Sequence, residues 1–146
     1  MPLFMVNRGN AQLSTTADLL TIVASATKPL RIIMAKISGH GSAPAANEVI
    51  LQRSSGGGNP GGAITPEKCD VNANAASFLV YTTWVTPPGL VGGPLHRFEA
   101  NANGGIDPFV AVPGGEIKVP VGGMISIRSA SGTSNAIVNL QISEED

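Results

Sequence analysis

The sequence predicts an all-β fold, a single-domain β-sandwich of about 8–10 short antiparallel strands with long Gly/Pro loops. Three observations carry that expectation. Short runs rich in Val, Ile, Leu and Thr recur at intervals of roughly 8 to 12 residues, the spacing of strands in a sandwich or barrel. Between them fall 18 glycines and 11 prolines, without the strict third-residue period of collagen. The last run alternates, with Ala136, Val138, Leu140 and Ile142 on one face and Asn139, Gln141 and Ser143 on the other, which describes a half-buried strand. At 146 residues the chain matches one domain, residues 1–146, large enough to bury most of its unfolded surface without metal or disulfide staples.

In chain order, Leu3 to Val6 is a short apolar run within residues 1–10. It reads either as the first strand of the domain or as an arm that adds a strand to a neighbour. In the next segment Thr16 is placed to cap a helix and Leu20 and Val23 fall near helical spacing. The β-branched run Thr21, Ile22 and Val23 favours a strand over Leu19 to Ala24 instead, and Pro29 blocks helical continuation. Leu30 to Ser38 and Glu48 to Gln52 follow as strands. A glycine-rich excursion from Gly56 to Gly62 then leads to Ala63 to Thr65.

Phe78 to Val85 reads as one strand with Phe78, Val80 and Trp84 inward and Tyr81 and Thr83 outward. A second loop, Pro87 to Pro94, precedes Leu95 to Ala100 and Phe109 to Val112. Gly114 with Gly115 and Gly122 with Gly123 bracket a short strand, Glu116 to Val119, between tight turns that call for positive φ. Met124 to Arg128 and Ala136 to Ser143 complete the set. Glu144, Glu145 and Asp146 form an acidic tail expected to be solvated.

Two ribbons, Leu19 to Ala24 and Leu30 to Ile37, are apolar on both alternating faces. Leu30, Ile32 and Met34 cannot share one thin core with Ile33, Ala35 and Ile37 if the strand is regular. The surplus requires a cover, and a neighbouring subunit is the simplest one. Candidate interface residues are therefore Leu3, Phe4, Val6, Ile32, Ile33, Met34, Ile37 and Trp84.

Composition narrows the function classes. A net charge of -1 with 13% charged residues supplies no basic field for nucleic acid or an anionic membrane, so neither is an expected partner. No run approaches membrane-spanning length, and the lone Cys69 excludes an intrachain disulfide and agrees with synthesis in a reducing cytoplasm. His40 and His96 lack metal-ligand spacing, no serine sits in a nucleophile elbow, and the Gly56 to Gly62 tract lacks the Lys-Ser/Thr of a phosphate loop. The expectation is a protein that is not an enzyme and holds no cofactor or metal. A sugar-stacking platform from Tyr81 and Trp84 is disfavoured, since positions three apart on one strand face opposite ways.

The block Lys28 to Gly41 (KPLRIIMAKISGHG), the strand from Asn47 to Gly58 (NEVILQRSSGGG) and the segment Pro113 to Ser129 (PGGEIKVPVGGMISIRS), with the final alternating strand, resemble small all-β virion proteins of tailed bacteriophages. These are decoration, or cement, proteins. The resemblance spans about Lys28 to Ile142 and rests on the order of strands and turns. It implies a jelly-roll-like sandwich, commonly a homotrimer, that sits on the capsid surface of the virion and clamps neighbouring subunits of the major capsid protein. The alternative from a different class is a receptor- or glycan-binding β-sandwich of a virion, such as a head fibre tip or carbohydrate-binding module.

Overall fold

The computed structural model describes residues 1–56 and 58–145; Gly57 of the first glycine loop and Asp146 of the tail lie outside the described residues. The strands are β1 (Leu3–Gln12), β2 (Asp18–Val23), β3 (Leu30–Gly39), β4 (Ala46–Ser54), β5 (Asn59–Pro60), β6 (Ala63–Ile64), β7 (Glu67–Lys68), β8 (Leu79–Tyr81), β9 (Trp84–Thr86), β10 (His96–Asn101), β11 (Ile106–Val110), β12 (Ile117–Val119), β13 (Met124–Ser131) and β14 (Asn135–Glu144). The segment read as strand against helix is a strand, as its β-branched run requires.

The first sheet has the order β11-β3-β14-β1-β7, with β12 beside β3 as well; the second has β10-β4-β13-β2-β8-β6. All named pairings are antiparallel. Setting aside the short pieces, the chain crosses between sheets from β1 to β2 to β3 to β4, runs on to β10, and crosses again to β11, β13 and β14. This is the wrapping of an eight-strand jelly roll, so the all-β sandwich expectation holds.

The core lies between the sheets. Phe4, Val6, Leu30, Ile32, Ala35, Ile37, Val138, Leu140 and Ile142 from the first sheet meet Leu20, Ile22, Val49, Leu51, Phe98, Ile125 and Ile127 from the second, all at 1% exposure or less. Polar groups tie the open seams. Asp107 on β11 accepts the backbone N–H of Glu99 on β10 at 2.7 Å, and Arg8 on β1 donates to the carbonyl of Leu19. Desolvation by burial lowers the Arg8 pKa from its ordinary value.

A β-bulge overturns the two-faced reading of β3. Gln141 pairs with Met34 but Ile142 pairs with Ile32, so Ile33 is an extra residue without a partner on β14. The slip in phase lets Leu30 and Ile32 face inward before it and Ala35 and Ile37 after it. Only Ile33 and Met34 are left outside.

The β2 ribbon is covered by this chain itself. Its outward Thr21 is fully buried beneath Trp84, which belongs to the long insertion 55–95 between β4 and β10. That insertion also extends both sheets along one side, β8 pairing with β2 and β7 with β1, while Phe78 plugs the gap edge-on to Phe4 at 5.4 Å. Two-sided apolarity therefore does not by itself demand a partner.

Two further expectations change and one open alternative is decided. Phe78 to Val85 is not one strand: a bend at Thr82 and Thr83 separates β8 from β9, so Trp84 lies on the outer face of the second sheet while Phe78 and Val80 stay in the core. Residues 1–10 are no free arm, because β1 is hydrogen-bonded to β14 along its length and to β7 at Phe4 and Met5. The described part of the acidic tail is not a solvated run. Glu144 is 1% exposed and accepts from the Ser77 backbone N–H at 3.1 Å and from its hydroxyl, and Glu145 pairs with Arg31.

Candidate interaction surface

The outer faces of the two sheets are built from different residues. On the first sheet, register places Ile106, Pro108 and Val110 of β11 beside Ser38, Lys36 and Met34 of β3, and these beside Ile137, Asn139 and Gln141 of β14. Asn139 and Gln141 in turn pair with Asn7 and Met5 of β1, and Ser143 with Leu3. This face is a field of aliphatic and thioether side chains with amides between them. Ile106 and Val110 are 63% and 66% exposed, and Leu3, Met5, Ile33, Met34 and Ile137 are half-buried. Ser143 at its end, beside the Arg31–Glu145 pair, is itself buried at 1% exposure.

The edge of this face is guarded. The Ala111 N–H donates to the Ile33 carbonyl and the Gly39 N–H to the Gly105 carbonyl, so odd-numbered residues of β11 turn their backbone toward β3. Even-numbered positions face outward, and Pro108 stands at the middle one with no N–H to offer. Such an edge resists strand-to-strand extension and leaves the flat face as the accessible surface.

The second sheet's outer face carries a buried polar network instead. Asp18 accepts from the Thr21 hydroxyl and the Ser126 hydroxyl, each at 2.5 Å, and from the Arg128 guanidinium at 2.6 and 2.7 Å. Ser126 also meets the Ser54 hydroxyl at 2.9 Å. The insertion docks on this network at three points. The Trp84 indole N–H donates to Thr21 at 2.8 Å, Arg128 donates to the Pro88 carbonyl at 3.0 Å, and the Gln52 amide donates to the Gly92 carbonyl at 2.6 Å.

Of the sequence-derived interface residues, Phe4, Val6, Ile32 and Ile37 are core residues at 1% exposure or less. They hold the sandwich together and are not offered to a partner. Leu3, Ile33 and Met34 lie on the first sheet's open face, and Trp84 lies on the opposite side of the molecule. Met5, Lys36, Ile106, Val110 and Ile137 belong to the open face and were not singled out by sequence. The signal of the four apolar ones, large apolar side chains at the outward positions of otherwise alternating strands, becomes readable only once the inward phase of each strand is known.

The remaining chemistry-bearing residues are placed as follows. Tyr81 and Trp84 do meet, ring centroids 5.2 Å apart and planes at 64°, because the bend brings them together; this corrects the opposite-faces reading. Tilted so, with the indole N–H turned inward to Thr21, they do not present a flat platform for a sugar ring. His96 packs against Phe98 at 4.5 Å and Phe109 at 5.1 Å, its Nε2 buried without a partner, and His40 is exposed in the loop after β3. Cys69 is an exposed free thiol, and the neighbouring Lys68 ammonium donates to the carbonyls of Val71 and Ala73. Among the described residues no group of three or more His, Cys, Asp or Glu converges to hold a metal ion, and no helix is long and apolar enough to cross a membrane. No family model, curated protein or solved structure matches the chain.

Proposed function

We propose that this chain is a structural, non-enzymatic jelly-roll module that decorates the capsid of a tailed phage, binding through the outer face of its first sheet and stabilising contacts between major capsid subunits. One observation carries the reading. The chain spends a long insertion covering the outer face of its second sheet, yet leaves on the outer face of its first sheet an aliphatic field with Lys36 at its middle and its other charges at the rim. Protein interfaces are depleted in charge and enriched in Met and large apolar groups at their centres, which is the makeup of this face. Covering roughly 300 Å² of its apolar area gives about 7 kcal/mol of gross transfer free energy, a useful sum for a lattice site only when repeated over several contacts or copies. The resemblance of its order of strands and turns to cement proteins supports the same reading, and a homotrimer on the virion surface is the form that resemblance implies.

Mixing purified protein with phage shells stripped of it tests the proposal. Decoration gives saturable co-sedimentation at a fixed ratio to the major shell subunit and a shell that survives higher temperature. Binding to glycans that vanishes on Trp84→Ala, without shell binding, points to the receptor-binding alternative.

A further inference from the structure

Resting on the decoration reading, we infer that the open face binds a shell subunit that sets a carboxylate against Lys36, and that a second copy of this chain is not its occupant. Lys36 stands at the middle of β3 with Pro108 and Asn139 directly opposite on the two flanking strands. Its diagonal neighbours on the same face are Ile106, Val110, Ile137 and Gln141. Among the described residues its ammonium has no hydrogen-bond or ion-pair partner.

Among the described residues no acid pairs with this cation; the one unpaired carboxylate bordering the face, Glu116, falls just before β12 beside Ile33, with its Oε2 buried and without a hydrogen-bond partner. Glu145 is engaged by Arg31, Asp107 on β11 points to the inner side and caps the Glu99 N–H, and Glu67 lies at the far edge beside Met5. Lys118, opposite Arg31, adds a second exposed cation at the lower rim. Any protein that covers the aliphatic field must dehydrate the Lys36 ammonium, which is tolerated only if that protein supplies a counter-charge. A second copy laid face to face about an axis near Lys36 sets the two ammonium groups together in a drying interface, with Glu116 displaced to the β12 rim beside Ile33. A heterologous surface with an apolar patch and one Asp or Glu at its centre satisfies both requirements, and the acid fixes register as well as partner choice.

Shells lacking this protein are the probe. Wild-type protein bound to them and treated with a zero-length carbodiimide should give a Lys36 cross-link to an Asp or Glu of the shell subunit, read by mass spectrometry. Lys36→Glu should weaken co-sedimentation at least tenfold. Lys36→Met should weaken it less and flatten its dependence on salt between 50 and 300 mM, with both variants unfolding at the wild-type temperature because the position is a half-exposed strand site. Wild-type binding that Lys36→Glu leaves unchanged overturns this inference and spares the decoration reading. Failure of the wild type to bind shells overturns both. Self-association of the free protein that buries Ile33 and Met34 and survives Lys36→Glu assigns the face to a second copy and overturns the inference.

Discussion

The two outer faces of this sandwich solve the same problem in opposite ways. The second sheet's face holds a carboxylate, a guanidinium and three hydroxyls, all mutually hydrogen-bonded and roofed by the insertion through Trp84, Pro88 and Gly92. The first sheet's face holds Ile, Val, Met, amides and Lys36, and the described insertion residues do not roof it as they roof the second. On the second sheet's face the buried polar groups find their partners within the chain, and on the first sheet's face apolar groups are left without such cover. That arrangement is the reverse of simple hydrophobic collapse. It makes the covered face a matter of stability and the open face a matter of association.

Among side-chain truncations, the largest effect expected from breaking this contrast is on the covered face. Asp18→Ala leaves the Arg128 guanidinium, 12% exposed, without its counter-ion and frees two hydroxyls beneath the insertion. Removing one partner of a buried pair costs about 3–5 kcal/mol. Urea unfolding should show that loss, and limited trypsin digestion should show earlier cleavage after Lys68 as the insertion loosens. A loss below about 1 kcal/mol contradicts the claim that the network pins the insertion.

Phe78→Ala comes next, at about 3 kcal/mol, the low end for an aromatic truncation because the site lies at the sandwich edge where the insertion can settle inward. It removes the ring that seals Phe4 between β1 and β2. Trp84→Phe should cost about 1–2 kcal/mol, keeping much of the cover over Thr21 but not the indole hydrogen bond. Near-ultraviolet circular dichroism alongside unfolding separates the lost indole signal from lost packing.

How much of this contrast the sequence discloses depends on the range of the interactions involved. Strand positions follow from local residue type, so most runs fall where expected, and the glycine pairs around β12 do supply positive φ, at Gly114 and Gly122. The bulge at Ile33 is invisible locally, because Ile32, Ile33 and Met34 are interchangeable as apolar strand residues. It is the register of β14 that decides which one is extra. The roof over Thr21 joins residues 63 apart in sequence, and no periodicity anticipates it. The acidic tail failed as a charge-run reading because Glu144 still belongs to β14 and finds Ser77 of the insertion. Local physics identified the strands, while long-range pairing chose which apolar residues would be left outside.

The smallest effect on stability falls on the open face, and it is the sharpest test of the comparison. Ile32 and Ile33 are adjacent, both β-branched, and of equal size, yet the bulge sends the first into the core at 0% exposure and leaves the second half-buried outside. A lysine at Ile32 must dehydrate its charge between the sheets, so Ile32→Lys should not yield a folded chain. A lysine at Ile33 can run its stem along Met34 and keep its ammonium in water, so Ile33→Lys should lie within about 0.5 kcal/mol of wild type in thermal unfolding. The same substitution places a charge in the field proposed to meet the shell, and co-sedimentation should fall at least tenfold. Destabilisation of Ile33→Lys comparable to Ile32→Lys would mean that the outer face is structural after all, and unchanged shell binding would mean that the partner sits elsewhere.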